Sequence, residues 1–346
     1  MSTNISSNDA TVPDFRIPED DRLTAFPIAR PEIYALWEKA ISVHWVPKQI
    51  NFKEDAVHFA RLPADMRHLV KSILAFFASL DTLVNVNILE RFAREFRIPE
   101  VDGFFAQQVH IEYVHSVTYS MLINVYVTDA AERQALLDSV VNNPTVTRVA
   151  EFVRKCVSSS ESLGCRLFRM ACVEGVLFAR AFAIVYFVTD DGSLPGLRES
   201  NALIAKDENF HMLGGAIIHN TVLPEELRVT AEEVRAVCGE VMDLADALGR
   251  DALPQPVRGM KPEQLREYTE NQANIVTEYF GHTAIYTASN PFEFMEKLNL
   301  ETRTNFFEAR ETNYAAGHGS VLETSGVTNT ETSSSGGRSF VYTEDF

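Results

Sequence analysis

Residues 110–120 read HIEYVHSVTYS, and in this largely apolar stretch Glu112, His115 and Tyr119 stand three and four places apart. At about 100° per residue the three share an arc of about 60° on one helix face. A carboxylate, an imidazole and a phenol are therefore aimed together into whatever that face covers. The pairing recurs as Glu208 and His211 in LIAKDENFHMLGG, with Ile204 in a similar arc. One Glu-x-x-His arises by chance in a chain of this length; two, each central to a long apolar helix, point to coordination chemistry. Two further apolar stretches carry one acid each, Asp81 in AFFASLDTLVNV and Glu174 in RMACVEGVLFARAF. Alone, either would read as a capped or partly exposed side chain.

Taken together the four acids demand compensation, because a buried and unpaired carboxylate costs several kcal/mol. Two divalent cations would cancel the charges, and neutral imidazoles would complete the coordination. Carboxylate-rich sites with one histidine per metal suit iron or manganese better than zinc. One acid from each of two helices plus Glu-x-x-His from each of two more is the arrangement of ferritin-like carboxylate proteins. The expected architecture is accordingly all-α, a ferritin-like helical bundle with a dinuclear metal site in its core.

The rest of the chain supplies the elements such a site needs. Apolar residues recur at three- and four-residue intervals in 69–92, 103–127, 145–160, 164–188, 197–219, 225–247 and 261–279, and no strand-length alternation is prominent. Breaks fall at NNP (142–144) and DDGSLPG (190–196). Residues 1–20 are polar and expected to be loose, 21–310 form the helical body, and 311–346 form a flexible tail. That tail is rich in Ser, Thr and Gly, yet it finishes in FVYTEDF, an aromatic and acidic tag suggestive of docking.

Composition narrows the function classes. Across 346 residues, 48 Asp and Glu against 31 Lys and Arg leave a formal charge of −17, which argues against a nucleic-acid binder. The four cysteines form no CxxC pair, so neither a disulfide scaffold nor a cysteine zinc site is expected. The opening MSTNISSNDA has no secretory pattern. The apolar run at 175–188 is short for a bilayer span and contains Arg180. A cytoplasmic protein without membrane partners is the expectation.

The same residues resemble a known family, the small, radical-generating subunit of class I ribonucleotide reductase. The likeness rests on LAFFASLD, ILERF, the ExxH followed by tyrosine four residues on, SMLI, the VEG glutamate and LPGLRESNALIAKDE, and it runs from about FPIARPEIYALWEKA (26–40) to NFFEAR (305–310). It implies metal ligands Asp81, Glu112, His115, Glu174, Glu208 and His211, holding two iron ions or, alternatively, two manganese ions. It implies that Tyr119 becomes a stable radical when the metals activate O2, and that Phe178, Phe182 and Ile204 form the pocket that shields it. Trp45 in SVHWVPKQI, Asp207 and Tyr314 match the route that carries the oxidising equivalent outward.

The implied partner is a large catalytic subunit, reached through the C-terminal tail, that reduces ribonucleoside diphosphates to deoxyribonucleotides; the implied assembly is a homodimer. Two departures from the family pattern stand out. The segment after Tyr314 is long, which makes Tyr342 in the tag a second relay candidate, and Val86 replaces an acid that is not a ligand. Two rival readings are another dimetal-carboxylate oxidase or desaturase, and a non-enzymatic iron-binding helical bundle. Tyr119, Trp45 and the tail argue against both.

Overall fold

Helices account for the architecture, and proline and glycine punctuate them. The computed structural model describes residues 22–158, 160–252, 260–292 and Met295. The segment 1–20 and the tail 311–346, with Tyr314, Tyr342 and FVYTEDF, lie outside the described residues, as do the last residues expected for the helical body. We number the helices α1 (Pro31–Ser42), α2 (Asp55–Arg61), α3 (Ala64–Glu95), α4 (Pro99–Tyr126), α5 (Ala130–Val141), α6 (Pro144–Ser158), α7 (Leu163–Val188), α8 (Pro195–Thr221), α9 (Ala231–Ala252) and α10 (Pro262–Tyr279). Among the described residues there is no β-strand.

Proline sits at the start of α1, α4, α8 and α10, where its fixed φ suits the first turn and its missing N–H costs nothing. Before α8 the chain reverses through Gly192, with φ 79°, and Leu194, with φ 50°. Asp55 on α2, fully buried, accepts hydrogen bonds from the amides of Gly196 and Leu197 at 2.8 and 2.9 Å and from the Tyr126 hydroxyl at 2.8 Å. It thus satisfies otherwise orphaned donors at the start of α8. A side chain at Gly196 would collide with Phe52, the Asn51 carbonyl and Asp55, so glycine is required for this close approach.

Four helices form the centre. α3 lies along α4 and α7 along α8, and contacts of α4 with α8 and of α3 with α7 close the ring. Every expected helix is present. That at 225–247 starts later than its periodicity suggested: Glu225–Leu227 forms a short 3-10 turn and α9 begins at Ala231. Helix α5 had no clear periodic signal, because its described side chains are all exposed or half-buried and no core face patterns its sequence.

The 175–188 run belongs to a longer element than its apolar stretch suggested. α7 has 26 residues, and α3 and α7 are both long and apolar enough to cross a bilayer by length and composition. In the bundle most of the apolar window of α7 is buried against neighbouring helices, which accounts for its hydropathy. The helix also carries the buried charges Arg166, Arg169, Glu174 and Arg180.

Two π-helical turns interrupt this frame, Ile88–Phe92 in α3 and Val173–Phe178 in α7. The second contains Glu174. Such turns widen the backbone ladder and cluster at functional sites; ideal α spacing therefore does not hold between Glu174 and Phe178.

Candidate metal centre

Each central helix contributes side chains to one buried cluster. Glu112, His115 and Tyr119 project from α4, Glu208 and His211 from α8, Asp81 from α3 and Glu174 from the π-turn of α7, and all are buried. Donor atoms of Asp81, Glu112 and His115 lie within 4.8 Å of one another, as do those of Glu112, Glu174, Glu208 and His211. All six expected ligands are thus brought together, in two groups that share Glu112.

The contacts are directed. Nδ1 of His115 lies 3.1 Å from Glu208 Oε1 and 3.5 Å from Glu112 Oε2. Nδ1 of His211 lies 2.9 Å from Glu208 Oε2 and 3.1 Å from Glu112 Oε1. Both imidazoles therefore aim the same nitrogen into the carboxylates. Gln108 donates from Nε2 to Glu174 Oε1 at 2.8 Å.

Both oxygens of Asp81, both of Glu112, Oε1 of Glu208 and Nδ1 of His115 are buried without an aligned hydrogen bond among the described residues. Native proteins leave few such atoms unless something else occupies them. The electrostatics agree. Burial, followed by the Glu112 and Glu208 charges, pushes the Asp81 carboxyl well above its usual range. Burial likewise raises Glu174, with Glu208 and Glu112 adding to it against His211 and Gln108. Burial opposes the charged imidazolium of His115 and His211, yet the surrounding carboxylates outweigh it and raise both well above the ordinary histidine range. Burial would raise Glu208 too, but His211 and His115 bring it below. Six oxygen- and nitrogen-rich ligands around unspent negative charge fit two divalent cations of the iron or manganese type.

The outer partners are equally specific. Nε2 of His115 donates to Asp207 Oδ2 at 3.1 Å, and Trp45 Nε1 donates to the same oxygen at 2.7 Å. The Trp45 and His115 rings stack at 5.9 Å. A carboxylate on the far nitrogen fixes the tautomer, so that Nδ1 is the free donor.

Tyr119 has a buried hydroxyl with no hydrogen-bond partner among the described residues, and burial followed by Asp81, Glu208 and the other nearby acids raises its pKa well above that of a free phenol. Phe77 stacks on it at 4.9 Å and 5° and contacts Phe178 and Phe182 at 5.5 and 5.0 Å. Ile204 is fully buried.

Residue patterns alone missed Gln108, Phe77 and Asp55. The first two had a signal: Gln108 precedes Glu112 by four positions and Phe77 precedes Asp81 by four, the spacing of one helix face. Asp55 had none, since its partners, the Tyr126 hydroxyl and two backbone amides, lie 71, 141 and 142 positions away.

The family model described as "Ribonucleotide reductase, small chain" matches residues 22–291. The chain belongs to the ribonucleotide reductase small-chain family. The ribonucleoside-diphosphate reductase small chain of Nicotiana tabacum is 32% identical over 294 residues, covering 85% of this chain and 88% of the relative. That of Vaccinia virus (strain Ankara) is 34% identical over 299 residues, covering 86% and 92%. Among solved structures, the ribonucleotide reductase Rnr4 homodimer of Saccharomyces cerevisiae matches with a TM-score of 0.75 at 27% identity, covering 87% of this chain and 92% of that one. The dimanganese(II) NrdF of Streptococcus sanguinis matches with a TM-score of 0.70 at 17% identity over 78% of this chain and 95% of its own, a likeness of fold. The all-α, ferritin-like class read from the ligand pattern is the fold of the ribonucleotide reductase small chains.

Proposed function

We propose that this chain is the radical-generating small subunit of a ribonucleoside-diphosphate reductase, and that the cluster is its dimetal centre. The observation carrying this reading is the junction of six buried ligands, several with unpartnered donor atoms, and a buried phenol whose hydroxyl has no partner. Asp81, Glu112 and His115 would hold one ion and Glu174, Glu208 and His211 the other, with Glu112 between them. Two iron or two manganese ions held there would supply, with O2, the oxidising power to take an electron from Tyr119.

The remaining chemistry belongs to the chain. Phe77, Phe178, Phe182 and Ile204 surround the phenol with apolar side chains that keep out water and reductants, the condition for a lasting radical. Asp207 ties His115 to Trp45, and this hydrogen-bonded connection is the route for the oxidising equivalent away from the core. Tyr314 continues the route. The tag FVYTEDF docks the large subunit, its aromatics filling pockets and its acids meeting basic residues, while the tether keeps it at high local concentration. Nucleotide reduction takes place on that partner, consistent with the lack of a Gly-rich phosphate loop in this sequence. The working form is a homodimer.

The test is reduction of a ribonucleoside diphosphate by metal-loaded protein mixed with a class I large subunit from the same source. The full chain supports turnover, a chain ending before Phe340 does not, and the free FVYTEDF peptide competes. Turnover by the chain alone, or undiminished turnover after truncation, would contradict the assignment.

A further inference from the structure

The ligands are not held alike. Glu112 and Glu208 each face both imidazoles across the cluster. Glu174 has a single hydrogen-bond partner among the described residues, the Gln108 carboxamide, at 2.8 Å. Its backbone lies in a π-turn, a turn type that recurs at functional sites. Beside Glu174, Gln108 and His211 is a cavity of about 10 Å³, walled by apolar side chains that include Ile88, Phe92 and Phe105. That is space for at most about one water-sized molecule.

We infer that Gln108 is a positioning residue that selects the orientation in which Glu174 meets its cation. This rests on the dimetal reading above. The amide donates to Oε1 and leaves Oε2 free to ligate. As a neutral donor it orients the carboxylate without supplying the charge that a lysine or arginine would, so the negative charge remains available to the metal. Gln108 itself is anchored by its place one turn before Glu112 on α4, with only 3% of its surface exposed. One helix thus provides both the ligand shared by the two groups and the group that orients the acid facing it from α7. The consequence is asymmetric: losing the amide weakens the position built from Glu174, Glu208 and His211 and spares that of Asp81, Glu112 and His115.

The experiment titrates Mn(II) anaerobically into the metal-free full chain, following free Mn(II) by electron paramagnetic resonance. Gln108→Met keeps the volume and removes the donor. Gln107→Met makes the same chemical change one residue away, on a glutamine that is also buried but makes no hydrogen bond to the cluster. Wild type and Gln107→Met take up two ions per chain with unchanged affinities. In Gln108→Met one site keeps its affinity and the other weakens by about tenfold to a hundredfold. Wild-type affinity at both sites in Gln108→Met would overturn the inference, as would equal weakening of both. Failure of the wild type to bind two ions would overturn the dimetal reading itself, and is told apart because it appears before any substitution.

Discussion

Two of the places where helix α7 buries charge are handled differently. Near its start, Arg166 and Arg169 are 3% and 2% exposed, and the protein itself supplies their counter-charges. Arg166 grips Glu95 through two nitrogens at 2.7 and 2.8 Å. Arg169 grips Glu161 at 2.6 and 3.0 Å and Glu240 at 2.9 Å, with its guanidinium over the Phe152 ring. These hydrogen bonds raise the Arg169 pKa further despite burial. Two turns on, Glu174 joins three other acids whose compensation comes from two imidazoles and one amide, and most of their oxygens find no hydrogen bond. A charge cluster that closes on itself is structure. One left open is a place for something the sequence does not encode.

Breaking each cluster gives effects of opposite sign. Arg166→Met strands a partly buried Glu95 that retains Arg91, and should destabilise the fold by about 3 kcal/mol, measured by chemical denaturation. Asp81→Asn in the metal-free protein removes a carboxylate that burial and its neighbours disfavour. It should raise metal-free stability by about 1–2 kcal/mol while abolishing uptake of one ion, measured by paired melting curves and metal analysis. A loss of stability in metal-free Asp81→Asn would show that this acid is compensated without metal.

A third buried group sharpens the contrast. His219 accepts from the Val229 amide at 3.0 Å and contacts Asn220 Oδ1 at 2.7 Å. Burial, helped by the Arg228 and His282 charges and opposed by Asn220, depresses it to about 4. Above pH 6.5 neither the folded nor the unfolded chain protonates it. As pH falls from 6.5 towards 4 the unfolded chain binds the proton and the folded chain does not, so stability is lost across that window, by about 3 kcal/mol in full. Subtracting the stability profile of His219→Gln from wild type isolates this loss, since the metal ligands titrate equally in both; a flat difference would contradict it. The smallest effect expected is at Phe77. Phe77→Leu keeps an apolar neighbour on Tyr119 but loosens the stack, and should shorten the radical lifetime severalfold with metal content unchanged, followed by the decay of the radical signal.

The carboxylate–histidine cluster was legible because acids and histidines repeat at helical spacing inside apolar runs, a pattern that a core cannot hold without compensation. Ile204 and the two phenylalanines of the pocket followed from resemblance, as did Trp45 and Asp207, which no spacing rule links; the structure joins them through one carboxylate oxygen. What stayed hidden depends on partners distant in sequence or on departures from ideal geometry. Gln108 matters because Glu174 faces it from another helix, Asp55 because it receives the start of α8, and the π-turns because periodicity assumes a regular α-helix. Helix α5 left little trace because burial, the source of the pattern, is missing there.

The most direct test of the central claim is electron paramagnetic resonance on metal-free protein given ferrous iron and then air, with bound metal counted in the same samples, for wild type and Tyr119→Phe. The account predicts two ions per chain in both proteins and a tyrosyl signal in the wild type that is absent from the variant. Two ions without a radical in the wild type, or a tyrosyl signal that survives Tyr119→Phe, would contradict it.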